Sequence, residues 1–147
     1  MKALSIHQPW IDWILHMGKD IENRNWKPPN KMIGQYIALH SSKTYELKAW
    51  RDLCVIFPKL ISVEPSDKNK FTYGAILGVA KIKEIITVQE ESPWFQGPYG
   101  WVLENVVPLS EPIYCKGYMK LWNISDEIEK EIWKQIEENT IYSYDEA

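Results

Sequence analysis

Residues 18–24 read Gly-Lys-Asp-Ile-Glu-Asn-Arg and come directly after a short apolar segment. If Asp20 to Arg24 form a β-strand, the alternation of side chains places Glu22 and Arg24 on one face of it. Lys19 precedes the strand, so an ammonium, a carboxylate and a guanidinium group lie close together in the chain. Such a charged cluster at a helix-to-strand junction is either a functional site or a solvated edge, and the surrounding sequence decides between the two.

The residues on either side of this segment predict an α+β domain. Residues 2–6 are typical of a strand, and apolar residues at 10, 13, 14 and 17 recur at helical spacing before Gly18, which suits a left-handed helix end. The same patterns predict strands at 35–40, 73–88, 99–107 and 112–114 and helices at 45–57 and from Ser125 onward. Short consecutive strands edged by Gly and Pro are compatible with a small β-barrel with surrounding helices.

The composition is that of one globular domain with an uneven charge. The chain has 147 residues, of which 45% are hydrophobic, enough for one core but too few to expect two domains. The net charge of −3 argues against non-specific coating of DNA. Residues 1–51 carry eight Lys or Arg and four Asp or Glu, whereas residues 125–147 carry two and eight. This pattern fits a locally cationic site or a chance distribution of surface charge.

No motif indicates a metal or other cofactor. Cys54 and Cys115 lack the spacing of a metal site or redox motif and are expected to be reduced core residues. The three histidines are scattered. No signal peptide, transit peptide or apolar run of membrane-spanning length is recognisable. We therefore expect a cytoplasmic protein without cofactor, metal or membrane association.

Several segments together resemble the ASCH domain family. They read Leu-Ser-Ile-His-Gln-Pro-Trp at 4–10, Gly-Lys-x-x-Glu-x-Arg at 18–24, Ile-Ala-Leu-His-Ser-Ser-Lys at 37–43, Gly-Ala-Ile-Leu-Gly-Val-Ala at 74–80 and Gly-Pro-Tyr-Gly-Trp-Val-Leu at 97–103. The resemblance covers about residues 2–124, so residues 1–147 are expected to form a single ASCH domain with an acidic C-terminal helix at about 125–139. It implies a PUA-like β-barrel that binds RNA or another nucleic acid in a cleft lined by the 18–24 residues.

The resemblance also leaves an enzyme open. One branch of the family deacetylates N4-acetylcytidine, and a ribonuclease activity has been proposed for another. The deacetylating branch has a Thr three positions after its Lys, and Glu22 stands at that position in this sequence. If the chain is a hydrolase, Lys19 would be a base or electrostatic stabiliser and Glu22 would orient it or activate water.

The candidate ligand-binding residues combine charged, polar and aromatic side chains. Lys19 and Arg24 would meet a phosphate or carbonyl oxygen, and Glu22 a base edge. Trp94, Phe95 and Trp26 are candidates for stacking on bases. The full set is Ser5, Gln8, Lys19, Glu22, Arg24, Trp26, Ser41, Lys43, Trp94 and Phe95.

Residues 40–43 are expected to end a strand before the 45–57 helix. Ser42 or Thr44 would cap that helix, and Lys43 would suit an anion held at its N-terminus. A Ser-His-Asp triad is not expected, because Ser5 and His7 lack a third, orienting residue.

The sequence thus predicts an RNA- or nucleotide-binding ASCH domain that recognises a base or a short single strand in a cationic cleft. The low basicity argues against a long duplex as the ligand. The alternative is a hydrolase in the same cleft, acting as an N4-acetylcytidine-type amidohydrolase or as a ribonuclease. A weaker alternative is a protein-interaction module that uses the acidic C-terminal helix.

Overall fold

The computed structural model describes residues 1–59, 67–88 and 92–146. These residues form an α+β fold of one six-stranded sheet and three α-helices. Its elements in chain order are β1 (Lys2–Gln8), α1 (Trp10–His16), β2 (Ile21–Arg24), β3 (Tyr36–Tyr45), α2 (Ala49–Ile56), β4 (Ala75–Ile86), β5 (Tyr99–Tyr114), β6 (Leu121–Asn123) and α3 (Asp126–Glu146).

The sheet has the strand order β2-β5-β4-β3-β1-β6. β1 and β3 are parallel, and the other neighbouring strands are antiparallel. The apolar residues of β1 alternate between the two faces, as the pleat requires. Leu4 and Ile6 pack with Ile11 and Ile14 of α1, whereas Ala3 packs in a cluster with Ile132 of α3. The two helices therefore cover opposite faces of the sheet.

The expected closed barrel is not shown, because the sheet is open over the described residues. Its edges are β2 and β6, and no described backbone pairing joins them. These edge strands have only four and three residues, respectively. Side chains bridge the gap instead: Arg24 Nη2 donates to the carbonyl oxygen of Ser5 at 2.8 Å, and Lys120 Nζ lies 5.9 Å from the ring centroid of Trp26.

The end of α1 and the start of α3 agree with the predictions. Gly18 follows α1 with a φ of +73°, the left-handed conformation expected there. Ser125 Oγ accepts a hydrogen bond from the backbone N–H of Ile128 at 3.2 Å and so caps α3.

The second helix begins later than predicted, because β3 runs on through Tyr45. Tyr45 pairs with Gln8 of β1, and the N–H of Glu46 donates to the Gln8 carbonyl oxygen at 2.7 Å. These pairings hold the chain extended, so Ser42 and Thr44 are strand residues and not helix caps. α2 starts at Ala49, after Lys48, without a side-chain cap.

The two strands predicted at 99–107 and 112–114 are one long strand, β5. Its two prolines fit because the pairing with β4 is irregular: Pro108 lies opposite Gly78, next to a register shift.

Candidate functional site

The Gly-Lys-x-x-Glu-x-Arg residues form a buried cluster of charges. Lys19 and Glu22 are only 5% and 3% exposed. Glu22 Oε2 lies 3.7 Å from Lys19 Nζ, and Glu22 Oε1 accepts a hydrogen bond from Arg24 Nε at 3.1 Å. Glu22 is thus shared between an ammonium and a guanidinium group, and Lys19 Nζ also donates to the Ile21 carbonyl oxygen.

Local backbone geometry explains why Lys19 is buried. The turn at Gly18 lets the N–H of Lys19 donate to the carbonyl oxygen of Trp13 at 3.1 Å, which folds Lys19 back under α1. Desolvation by this burial holds the pKa of Lys19 below its usual value, although the negative charge of Glu22 opposes the shift. The side chain lines a crevice of about 10 Å³ beside Trp94, which has room for no more than about one water molecule.

A larger cavity lies beside Ser5 of β1 and His40 of β3, on the same face of the sheet as Ala3 and α3. Its volume is about 660 Å³, within the range of about 300–1,000 Å³ that is usual for small-molecule sites. We call it the Ser5 pocket; its lining residues are Ser5, His40, Ser42, Lys43, Gly74, Cys115, Lys116, Gly117, Tyr118 and Met119. The bond from Arg24 to the Ser5 carbonyl oxygen connects the buried charge cluster to this pocket.

A chain of hydrogen bonds forms the floor of the Ser5 pocket. Ser5 Oγ lies 3.0 Å from His40 Nδ1, and His40 Nε2 lies 2.9 Å from the Cys115 carbonyl oxygen. Because a carbonyl can only accept, Nε2 carries the imidazole proton and Nδ1 accepts the proton of Ser5. Trp122 Nε1 donates to Ser5 Oγ at 3.2 Å. Burial lowers the pKa of His40, which favours the neutral imidazole.

The wall of the pocket is the segment between β5 and β6. A Cβ atom on Gly117 would lie 2.6 Å from Ser5 Oγ and 2.4 Å from His40 Cε1, so only glycine fits there without a shift. On either side of it, Lys116 and Tyr118 are exposed, and Lys116 Nζ lies 5.3 Å from the Tyr118 ring centroid. Lys43 of β3 also lines the cavity, so two lysines and no acidic residue are found among the lining residues that the structure describes.

Two of the predicted polar ligand-binding residues are buried within the fold. Gln8 is fully buried, and its Nε2 donates to Asp12 Oδ1 and to the Thr72 carbonyl oxygen, both at 2.9 Å. Ser41 is also fully buried, and its Oγ donates to the Ala75 carbonyl oxygen at 3.1 Å. Neither side chain lines the Ser5 pocket.

The three predicted stacking aromatics lie in different surroundings. Trp94 is 7% exposed and packs against Trp13 and Phe57, so its faces are covered. Phe95 lies over Gly97 and Gly100. Trp26 is partly buried against Trp101, with ring centroids 4.9 Å apart, and is the one of the three that reaches the gap near Lys120.

The structure therefore brings five of the ten predicted residues together, in two places. Lys19, Glu22 and Arg24 form the buried cluster, and Ser5 and Lys43 line the Ser5 pocket. Sequence reasoning missed the 115–119 wall, although Cys-Lys-Gly-Tyr-Met-Lys at 115–120 interleaves lysines with an aromatic residue around a glycine. It also missed His40 as a partner of Ser5, because that contact depends on strand register.

Over the described ranges, no group of three or more His, Cys, Asp or Glu side chains is placed to hold a metal ion. Within the same part of the chain, none of the helices combines the length and the apolar character needed to span a membrane.

A comparison of the sequence with family models gives the family of the chain. The model of the ASCH domain matches residues 4–138, so the chain belongs to the ASCH domain family. ASCH domains are generally RNA-binding. The chain is also similar to a human protein, activating signal cointegrator 1, with 20% identity over 133 residues. The match covers 86% of this chain and 22% of the human protein, so the chain spans about a fifth of that relative's length.

Proposed function

We propose that this ASCH domain binds RNA or a nucleotide-like ligand in the Ser5 pocket, where it takes one base or a short single strand. The observation that carries the proposal is the cavity of about 660 Å³ that is lined by two lysines and by Ser5, the residue to which Arg24 donates a hydrogen bond. The membership of a generally RNA-binding family supports the same ligand class.

The chemistry of the pocket suits a ligand with an anionic backbone and a flat apolar group. Lys43 and Lys116 are exposed at its rim and would meet phosphate oxygens as point charges. Tyr118 is 56% exposed and offers a ring face to a base; such stacking typically contributes about 1–3 kcal/mol per base. The two lysines are confined to one cavity, whereas a duplex would need a longer stripe of basic residues.

In this proposal the buried cluster positions the pocket and does not contact the ligand's phosphates through Lys19. Glu22 orients the Arg24 guanidinium, which in turn holds the backbone of β1 at Ser5. A hydrolase centred on Lys19 and Glu22 finds little support, because the two groups face each other beside a crevice of about 10 Å³. The pocket, and not the crevice, has the volume for a nucleotide.

The proposal is tested by the binding of a fluorescein-labelled single-stranded RNA, followed by fluorescence anisotropy at several salt concentrations. Lys43→Ala and Lys116→Ala should each weaken binding and reduce the slope of log K against log salt by about 1. Lys31→Ala is the matched control, since it removes an equal charge from an exposed position outside the pocket. Equal losses in all three variants would indicate non-specific attraction and contradict the assignment to this pocket.

A further inference from the structure

We propose that Ser5 is the nucleophile, and His40 the general base, of an acyl-transfer site at the floor of the Ser5 pocket that hydrolyses small carboxylic esters. The Ser5 Oγ to His40 Nδ1 distance of 3.0 Å is within hydrogen-bonding reach. This chemistry is separate from the proposed RNA binding and does not depend on it. It is also separate from Lys19 and Glu22, which lie outside the pocket lining.

Strand register produces the Ser5–His40 pair. Ser5 of β1 and His40 of β3 are partners in the parallel pairing of these strands, so their side chains stand next to each other on one face. β3 lies between β4 and β1, and β1 is next to the edge strand β6. Arg24 also holds the β1 backbone at Ser5 through a hydrogen bond. The pair therefore lies on a rigid part of the sheet.

The hydrogen bonds around Ser5 and His40 favour the transfer of the Ser5 proton to His40. The Cys115 carbonyl oxygen holds the Nε2–H of His40 at 2.9 Å, so the lone pair of Nδ1 is directed at Ser5. This carbonyl takes the orienting role that a carboxylate has in other hydrolytic triads. The N–H of Trp122 donates to Ser5 Oγ and thereby directs the hydroxyl proton toward His40. Nucleophile, base and orienting group are therefore all in contact.

The reaction that this arrangement supports is an ordinary two-step ester hydrolysis. Ser5 Oγ forms a bond to the ester carbonyl carbon while its proton moves to His40 Nδ1. The carbon–oxygen bond to the alcohol then breaks, and His40 returns the proton to the departing oxygen. In the second step water attacks the acyl-Ser5 with the same base, which releases the carboxylic acid and restores Ser5.

The rest of the pocket sets the substrate class. The backbone of Gly117 lies close over Ser5 and His40, which limits the acyl group that can reach Ser5 to a small one. The ammonium groups of Lys43 and Lys116 provide positive charge in the cavity for the oxyanion that forms on the carbonyl. They also favour esters that carry a negative charge elsewhere in the molecule.

The test uses the full chain and a fluorophosphonate probe, with the labelled residue located by peptide mass spectrometry. We expect a single adduct on Ser5, absent from Ser5→Ala and retained in Thr44→Ala, which removes an exposed hydroxyl from β3 outside the pocket lining. His40→Gln should slow the labelling by about 10²-fold or more, since that is the usual contribution of a general base.

Hydrolysis of p-nitrophenyl acetate provides a second readout, in which an initial burst would report the acyl-Ser5. Absence of an adduct, under conditions that fully label a reference serine hydrolase, would overturn the proposal. So would an adduct on Tyr118 or another residue in place of Ser5. Because the wild-type protein alone decides between these outcomes, misfolding of a variant does not obscure the result.

Discussion

Glu22 shares its carboxylate between Lys19 and Arg24 in a place that water hardly reaches. The side chains of Lys19 and Glu22 are 6% and 3% exposed. Removing both ions from water costs several kcal/mol, which their mutual attraction offsets only while both are present. The charge cluster is therefore a structural element of the β2 region, whatever binds in the pocket beside it.

Lys19→Ala should lower the free energy of unfolding by about 3–5 kcal/mol, because it leaves Glu22 with one cation fewer in a buried place. Combining Lys19→Met with Glu22→Gln should cost less than the sum of the two single changes, since neither charge is then left alone. Urea denaturation of the wild type, Lys19→Ala, Lys19→Met, Glu22→Gln and the double variant measures both effects. The exposed Lys48→Ala serves as a control. An unchanged midpoint for Lys19→Ala would show that its ammonium is solvated.

The free energy of unfolding should decrease at acidic pH because of His40. Burial lowers the pKa of His40 from its usual 6.5. At a pH between the lowered pKa of the folded protein and 6.5, the unfolded chain therefore binds a proton that the folded chain does not. The stability is therefore lost as pH falls from about 6.5 through the lowered pKa. Thermal unfolding between pH 7 and pH 5 should show a loss that is smaller in His40→Gln. The exposed His16→Gln should retain the loss, and equal curves for all three would contradict this origin.

At the scale of elements, local pattern predicted which segments are strands better than it predicted where they end. The alternation in 35–40 is clear, but β3 continues to Tyr45 because β1 pairs with it there. Likewise, the two strands predicted at 99–107 and 112–114 are one strand, β5, whose irregular register with β4 accommodates Pro108 and Pro112. Both extensions depend on partners distant in sequence, which periodicity does not reveal.

Gly78 sets the distance between α1 and the sheet. A Cβ atom at this position would lie 2.4 Å from Leu15 Cδ2 and 2.8 Å from the Val107 carbonyl oxygen. Gly78→Ala should therefore destabilise the protein by about 1–3 kcal/mol through overpacking. Lys83→Ala, exposed on the same strand, should have little effect. Equal denaturation midpoints for Gly78→Ala and the wild type would mean that Leu15 and the β5 backbone at Val107 can both shift at no cost.

At the scale of the whole molecule, the sheet curls until its two edges are close enough for side chains to bridge them. Arg24 reaches from β2 to β1, and Lys120 approaches Trp26. The order of elements and the Gly-Lys-x-x-Glu-x-Arg motif were sufficient to predict the α+β class and the proximity of Lys19, Glu22 and Arg24. The Ser5 pocket was not predictable, because its walls come from β1, β3 and the 115–119 segment, which meet only after the sheet has formed.

The acidic helix α3 covers one face of the sheet and is part of the core. Ile132 is fully buried, and Trp133 packs edge-on against Tyr36 of β3 with ring centroids 6.0 Å apart. Ile132→Ala should therefore lower the free energy of unfolding by about 2–5 kcal/mol, whereas Lys130→Ala, exposed on the same helix, should change it little. Thermal unfolding of both variants makes the comparison. If Ile132→Ala unfolded at the wild-type temperature, α3 would not be needed for the stability of the core. Its acidic surface would then be a candidate for binding a protein partner.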